Sequence, residues 1–284
     1  MNSAYASTAP DRDQSPHPFH SGLARALGGA VIFALPMLMT MEMWELGATM
    51  PRHRIVILLL AGIPLLVGLS RISGFEPTTE LIEDVVDAFV AYAVGFVGSA
   101  VVLALFGELT SRASLDAAVG AVALQAVPAS IGALLAQSQF GQGLDDDPER
   151  DRRKSSFWGE LFLMAVGSLF LAFNLAPTDE MVQLGYRMGG GAMVALALLS
   201  LVAMHGFVYA VDFRGQHVRP EGATHLGAFL RLTVTGYAIA LLISAYVLWT
   251  FGRFDDTALL PNVMATVVVG FPAAIGAAAA RLIL

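Results

Sequence analysis

The sequence predicts an all-α membrane protein, a bundle of about eight transmembrane helices built as two parallel repeats of four helices. Three observations support this prediction. Apolar residues make up 56% of the 284 residues and charged residues only 14%, whereas an ordinary soluble domain carries about 25% charged residues. Apolar runs long enough to span a bilayer recur along the chain. The two halves of the chain also share sequence motifs in the same order.

The apolar runs give the order of the predicted helices, which short polar turns separate. The first four helices are expected at residues 26–47, 54–73, 86–107 and 114–137, and the last four at residues 157–180, 188–211, 227–251 and 260–282.

Two polar segments flank the first half of the predicted bundle. Residues 1–22 contain Ser, Pro, Asp and His but few aliphatic side chains, which predicts a disordered tail. Residues 138–156 include GQGLDDDPERDRRKSS, the most charged stretch of the chain, and predict a linker. The first four-helix repeat is therefore expected at residues 23–137 and the second at residues 157–284.

The distribution of positive charge predicts the orientation in the membrane. With the N-terminus inside, eleven of the 16 Lys and Arg residues fall on the inner side and five on the outer side. Cytoplasmic loops carry such an excess of positive charge. The bundle is expected in the inner (plasma) membrane of the cell. Since the helix count is even, both termini and the linker are expected on its cytoplasmic side.

An internal repeat relates the two halves. The first and fifth predicted helices both end in Thr-x-Glu-Met-x-x-Leu-Gly, at Thr40–Gly47 and Thr178–Gly185, which are 138 residues apart. Weaker matches join the third helix to the seventh at an offset of 145 and the fourth to the eighth at an offset of 144. Because each unit has an even number of helices, the repeats are expected to be parallel, around a pseudo-twofold axis along the membrane normal.

The repeated motif carries acidic side chains near the outer ends of two predicted helices. Glu42 and Glu45 belong to the first copy, Asp179 and Glu180 to the second, and Asn174 adds a neutral oxygen one turn earlier. A carboxylate below the membrane surface is costly if it faces lipid, so these groups are expected to face the protein interior or water. Oxygen ligands suit hard cations and protons, which predicts a cation site or path where the two repeats meet.

A structural alternative stays open for the same acids. Glu42 and Glu180 could instead bond to the main chain or pair with arginines on the same side, and Arg52, Arg54 and Arg187 are the candidates. Repeat-equivalent residues of opposite charge, Glu108 and Arg253, are expected to pair at the outer surface, where such a pair contributes little.

A second acidic group opens the third predicted helix. Glu80, Glu83, Asp84 and Asp87 share one helical face. Acids in a first turn complement the helix dipole, so capping is the simpler interpretation for most of them. Asp87 lies nearest the apolar run and is the candidate for an inner mouth of the cation path, with Arg71 or Arg214 as its possible ion-pair partner.

His205 stands inside a predicted membrane helix. A proton relay is one interpretation. Satisfying a backbone carbonyl or a neighbouring hydroxyl is the more frequent role of such a histidine, and both interpretations remain open.

Several classes of function are not expected. The formal charge of −7 argues against a nucleic-acid partner. The chain has no Cys, which excludes thiolate metal sites and thiol nucleophiles. Its one lysine, Lys154, lies in the linker, which excludes a retinal Schiff base in the membrane. No catalytic motif is present, so no cofactor and no enzymatic activity are expected; the lipid bilayer and a small cation or proton are the expected partners, and a homo-oligomer is compatible with this interpretation.

At Thr40–Trp44 with Gly47, and at Ala176–Glu180, the chain resembles a bacterial family of integral membrane proteins of unknown function. The resemblance covers roughly residues 20–284. It implies a multi-pass, two-repeat membrane protein and no established activity.

Three hypotheses about function follow. The first is a transporter or channel for a small cation or proton that uses the acids of the repeated motif. The second is a non-transporting membrane scaffold or assembly partner, with no polar path between its helices. The third, less expected, is a membrane-embedded enzyme that modifies lipids.

Overall fold

The structure, a computed structural model, describes residues 18–73, 80–109, 114–140, 153–154, 156–213 and 229–283. Within these ranges every element is a helix. In the first half they are α1 (Pro18–Leu38), α2 (Met41–Thr49), α3 (Arg52–Ser73), α4 (Leu81–Leu105) and α5 (Leu115–Phe140). In the second half they are α6 (Phe157–Leu175), α7 (Asp179–Arg187), α8 (Gly190–Phe213), a π-helical turn (Phe229–Val234) that leads into α9 (Thr235–Thr250), and α10 (Leu259–Ile283).

The helices confirm an all-α, multi-pass architecture. In the part of the chain that the structure describes, seven helices are long and apolar enough to cross a membrane, or eight if α1 and α2 together form one bent span. The predicted tail at 1–22 lies mostly outside the described residues. The same holds for the linker at 138–156 and for Arg214 in the loop before the π-helical turn.

The first predicted helix, 26–47, is not continuous. It breaks after Leu38, and α2 runs at 87° to the preceding segment. Pro36 lies inside the last turns of α1, where it removes one N–H and clashes with the preceding turn. The Oγ1 of Thr40 donates to the carbonyl of Pro36 at 2.6 Å and the Nε1 of Trp44 donates to that of Leu38 at 2.7 Å. These two bonds satisfy carbonyl groups near the bend.

The fifth predicted helix, 157–180, also ends early, because α6 stops at Leu175 and a turn with Pro177 precedes α7. Both short helices have nine residues and begin directly after the motif threonine, Thr40 or Thr178. Glu42 therefore lies in the first turn of the separate helix α2 and not within the first membrane helix.

Each half is organised around its last helix. In the first half α5 packs against α1, α2, α3 and α4, and in the second half α10 packs against α6, α7, α8 and α9. The contact of α1 with α5 depends on Gly29 and Gly132, and that of α6 with α10 on Gly167 and Gly276: a Cβ at any of the four would collide with the facing backbone. These pairs follow the offsets of 138 and 144, although the repeat arrangement itself stays a prediction.

An apolar seam joins the two halves. The ring of Phe33 in α1 packs edge-on against that of Phe170 in α6, with centroids 5.3 Å apart. Gly68 of α3 lies against the ring of Phe162. At one end of the seam, the Nη2 of Arg54 bonds to Asp255 at 2.7 Å, and the guanidinium stands 5.3 Å from the ring centroid of Trp249.

Candidate functional site

A cavity of about 430 Å³ lies at the end of the bundle that holds α2 and α7, called here the α2 end. This volume is within the usual range for small-molecule sites. Its lining comes from α2 (Met41, Trp44, Glu45, Ala48), from the turn after α4 (Glu108, Leu109) and from α5 (Ala117, Ala118, Ala121). Two carboxylates therefore share a chamber whose other walls are mostly apolar.

One face of α2 forms the first wall. Its lining residues follow the spacing i, i+3, i+4 and i+7, which places them on the same side of a helix. Gly47 lets α2 lie directly on α5, because a Cβ there would stand 2.7 Å from the backbone nitrogen of Ala121. Glu45 belongs to the cavity face, whereas Glu42, which is half-buried, lies outside it.

Polar contacts fix α2 at both ends. At its start, the Trp44 indole is held by the Leu38 carbonyl. At its end, the guanidinium of Arg52 donates to the Gly47 carbonyl at 2.8 Å and to Asp116 of α5 at 2.6 Å. A positive charge at a helix C-terminus is favourable, so Arg52 stabilises α2 and joins it to α5.

A left-handed glycine brings Glu108 to the cavity. Gly107 has φ +83°, and the backbone N–H of Glu108 closes the end of α4 by donating to the Leu103 carbonyl at 3.0 Å. The second half repeats this turn: Gly252 has φ +75°, and Arg253 donates to Leu248 at 2.9 Å. The same left-handed glycine turn thus precedes an acidic residue, Glu108, in the first half and a basic residue, Arg253, in the second.

In the second half, the side chain of Arg253 contacts the start of α7. Its Nη1 bonds to Asp179 at 2.6 Å, and its Nη2 donates to the Pro177 carbonyl. The predicted pair between Glu108 and Arg253 is therefore wrong. Each residue instead faces the short helix of its own half.

The four acids of the repeated motif do not form a metal site. In the described ranges no group of three or more Asp, Glu or His side chains lies close enough to hold a metal ion. The reason is that α2 packs on α5 while α7 packs on α10. Asp179 is paired with Arg253, and Glu180 is exposed on α7. A role of Glu42 or Glu180 in ion passage stays a prediction.

Two of the three arginines of the structural alternative have other partners, and the third, Arg187, is exposed at the end of α7. Arg52 binds Asp116 and Arg54 binds Asp255, so neither neutralises Glu42 or Glu180. Asn174 donates its side-chain amide to the Phe170 carbonyl at 2.7 Å.

At the opposite end of the first half, the second acidic group divides into two parts. Glu80 and Glu83 form a capping box at the start of α4, as the capping interpretation requires, although the capping residue is Glu80 itself. Asp84, only 1% exposed, is the residue that meets Arg71, at 3.6 Å. Asp87 accepts a hydrogen bond of 2.9 Å from Ser70.

His205 has a local partner in the second half. Its Nδ1 lies 3.1 Å from the Oγ1 of Thr233. The contact agrees with the hydroxyl-bonding interpretation and places the two residues at the same level of α8 and the π-helical turn.

Buried polar atoms continue inward from the cavity. Gln125 lies one turn beyond Ala121 on the same face of α5, and its Nε2 donates to the Met37 carbonyl at 3.1 Å. Its Oε1 and the Oγ of Ser99 are buried with no partner among the described residues. Further along α4, the hydroxyl of Tyr92 donates to the Leu59 carbonyl at 2.7 Å. In the sequence, the one signal that marks Gln125 as a candidate functional residue is its polar amide within an Ala- and Val-rich helix.

Comparisons with known proteins agree with the membrane architecture. The model of a family described as "Putative integral membrane protein (DUF2391)" matches residues 22–284. No curated protein and no solved structure matches the chain.

Proposed function

Because the chain belongs to the family described as "Putative integral membrane protein (DUF2391)" and is a multi-pass integral membrane protein, we propose that it is a transporter or channel for a small cation or proton. Its mouth is the cavity at the α2 end, with Glu45 and Glu108 as the residues that attract the ion.

One observation supports this proposal above the others: Glu45 and Glu108 line the same cavity, and no described basic residue forms an ion pair with either of them. Three other acids at this end, Asp116, Asp179 and Asp255, each bind an arginine. Glu45 and Glu108 have no such partner in the described part of the chain. Acid side chains that line a largely apolar cleft raise the local concentration of cations.

The polar groups beneath the cavity support a route through the first half. Gln125 and Ser99 each bury an oxygen without a described partner, and such atoms normally bond to water or to a ligand. Beyond them come Tyr92 and the bonded pair of Ser70 and Asp87 near the other end of α4. The aromatic contacts along the seam make passage between the halves the less favourable route.

Ion flux into liposomes tests the proposal. Purified protein is reconstituted and the uptake of protons, Na⁺, K⁺ and Ca²⁺ is followed with internal dyes, for the native chain and for Glu45→Gln and Glu108→Gln. Each substitution is expected to lower flux about tenfold. Losing about 1.4 kcal/mol of attraction between the ion and one carboxylate weakens binding at the mouth by that factor.

The matched control is Asp256→Asn. Asp256 is an exposed carboxylate at the α2 end of the second half with φ +54°, a conformation that Asn tolerates well. Its substitution should leave flux unchanged. Native flux in the Glu45→Gln, Glu108→Gln double variant would refute the proposed mouth.

A second candidate, a non-transporting scaffold or assembly partner, is favoured by the aromatic contact of Phe33 with Phe170 along the seam. It predicts no flux above empty liposomes for any ion of the panel. The same experiment therefore separates the two functions.

A further inference from the structure

We propose that the cavity at the α2 end binds an organic monocation, an amine or quaternary ammonium with an apolar body. The inference shares its site with the proposed function and departs from it in the class of ligand, which is an organic cation and not an inorganic one.

The walls of the cavity favour an organic ion over a bare metal ion. Ca²⁺ takes six to eight oxygen ligands, and Mg²⁺ demands near-octahedral oxygen coordination, whereas Glu45 and Glu108 are the two acidic residues among those that line the chamber. The remaining lining consists of Met41, Trp44, Leu109 and alanines, which suit a hydrocarbon body. A volume of about 430 Å³ also exceeds what a single dehydrated ion fills.

The second half supplies an internal comparison. There the turn after α9, the third membrane helix of that half, carries Arg253, a cation attached to the chain, and this cation binds Asp179 and the Pro177 carbonyl at the start of α7. In the first half the equivalent turn carries Glu108, and the position of Asp179 is taken by Met41. In the second half the guanidinium of Arg253 therefore contacts the short helix α7. In the first half the carboxylate of Glu108 lines a cavity beside the short helix α2.

Trp44 provides an aromatic surface for the ligand. Its indole N–H is engaged by the Leu38 carbonyl at 2.7 Å, which fixes the ring beside the cavity. Cations bind well over an indole face, and quaternary ammonium ions are frequent ligands of this kind. At the same end of the molecule, Arg54 already lies 5.3 Å from the ring centroid of Trp249, so this pairing of cation and indole is one that the fold uses.

Calorimetric titration of the purified full-length protein in detergent tests the assignment. The probe is benzyltrimethylammonium, and its neutral counterpart is neopentylbenzene, in which carbon replaces the charged nitrogen. The cation is expected to bind with one site per chain and the neutral compound at least about tenfold more weakly. Equal affinity for the two compounds would overturn the proposal.

Variants locate the binding site. Glu45→Gln and Glu108→Gln are each expected to weaken binding of benzyltrimethylammonium about tenfold. Trp44→Leu should weaken it similarly, and Trp44→Phe should retain most of it. Glu42 belongs to the repeated motif but lies on another face of the same helix, outside the cavity. A larger loss of benzyltrimethylammonium affinity in Glu42→Gln than in Glu45→Gln would contradict the assignment. Unfolding temperatures within a few degrees of the native chain establish that a variant is folded.

Competition separates this inference from the proposed function. An excess of Na⁺ or Ca²⁺ should not displace benzyltrimethylammonium beyond the effect of ionic strength. Binding without any ion flux would refute the transport proposal and leave the ligand class intact. Proton or Na⁺ flux that depends on Glu45 and Glu108, in a protein that does not bind the organic cation, would refute the inference alone.

Discussion

At the scale of single residues, the most enclosed ion pair among the described residues joins α6 to α10. The Nη2 of Arg281 lies 3.3 Å from Glu160, and the two side chains are 3% and 12% exposed. The Nε and Nη1 of Arg281 are also buried, without described partners. When two charges are withdrawn from water together, removing one of them leaves the other buried without compensation.

Removing one partner is therefore expected to be costly. Glu160→Gln should destabilise the protein by about 3–5 kcal/mol, because the Arg281 charge is left buried without its counter-ion. Thermal unfolding in detergent measures the loss. Adding Arg281→Met should restore most of the stability, and a double variant as unstable as Glu160→Gln alone would show that the pair is not the cause.

Residue identity also decided how much of the candidate site could be predicted. The repeated motif predicts Glu45 as an ion-pathway residue. The sequence marks Glu108 only as the charge-reversed counterpart of Arg253, and its place in the cavity depends on the positive φ of Gly107. Trp44 and Gln125 acquire their roles from a bend and from helix contacts, which periodicity along the chain does not encode.

At the scale of elements, the central feature is a short helix laid across the end of its own half. The apolar runs predicted the membrane helices well, because burial in lipid requires long apolar segments. They did not predict the break at Leu38, since the apolar run continues through it. Pro36 lies in the last turns of α1 and Pro177 in the turn after α6. The helix α2 runs at 87° to α1 and packs on α5.

Close contact through glycine holds α2 in place, and substitution tests this. A Cβ at Gly47 would lie 2.7 Å from the Ala121 nitrogen, whereas at Gly185 in α7 the nearest distance is 3.0 Å, to the Ala265 nitrogen. Gly47→Ala is expected to destabilise the protein by about 1–3 kcal/mol because α2 must move away from α5, and Gly185→Ala by less.

The control is Gly206→Ala in α8, where a Cβ would meet nothing within 4 Å. Alanine in a helix interior should there be neutral or stabilising by up to about 1 kcal/mol. Near-ultraviolet circular dichroism during heating follows all three variants. Equal stability of Gly47→Ala and Gly206→Ala would mean that α2 does not depend on this contact.

At the scale of the whole molecule, the two halves have similar orders of helices and differ in charge. Each has an entry helix followed by a nine-residue helix, a third membrane helix that ends at a left-handed glycine, and a central last helix. The second half joins Arg253 to Asp179, while the first half leaves Glu45 and Glu108 facing a cavity. This difference supports the proposal that the first half binds the ligand and that the second half is structural.

Symmetry between the halves led the sequence-based prediction to place the site on the axis between them. That expectation treated equivalent positions as equivalent groups. Packing of each short helix onto its own half, together with the aromatic contact of Phe33 and Phe170, separates the predicted acids. The proposed site lies within one half.

The most direct measurement is ion flux through Glu108→Arg in liposomes, since this change gives the first half the charge that the second half carries at Arg253. The variant should fold normally. Its flux should be no higher than that of empty liposomes, because a guanidinium beside Glu45 would neutralise the charge of the cavity and fill part of its volume. A folded Glu108→Arg protein with native flux would contradict the account.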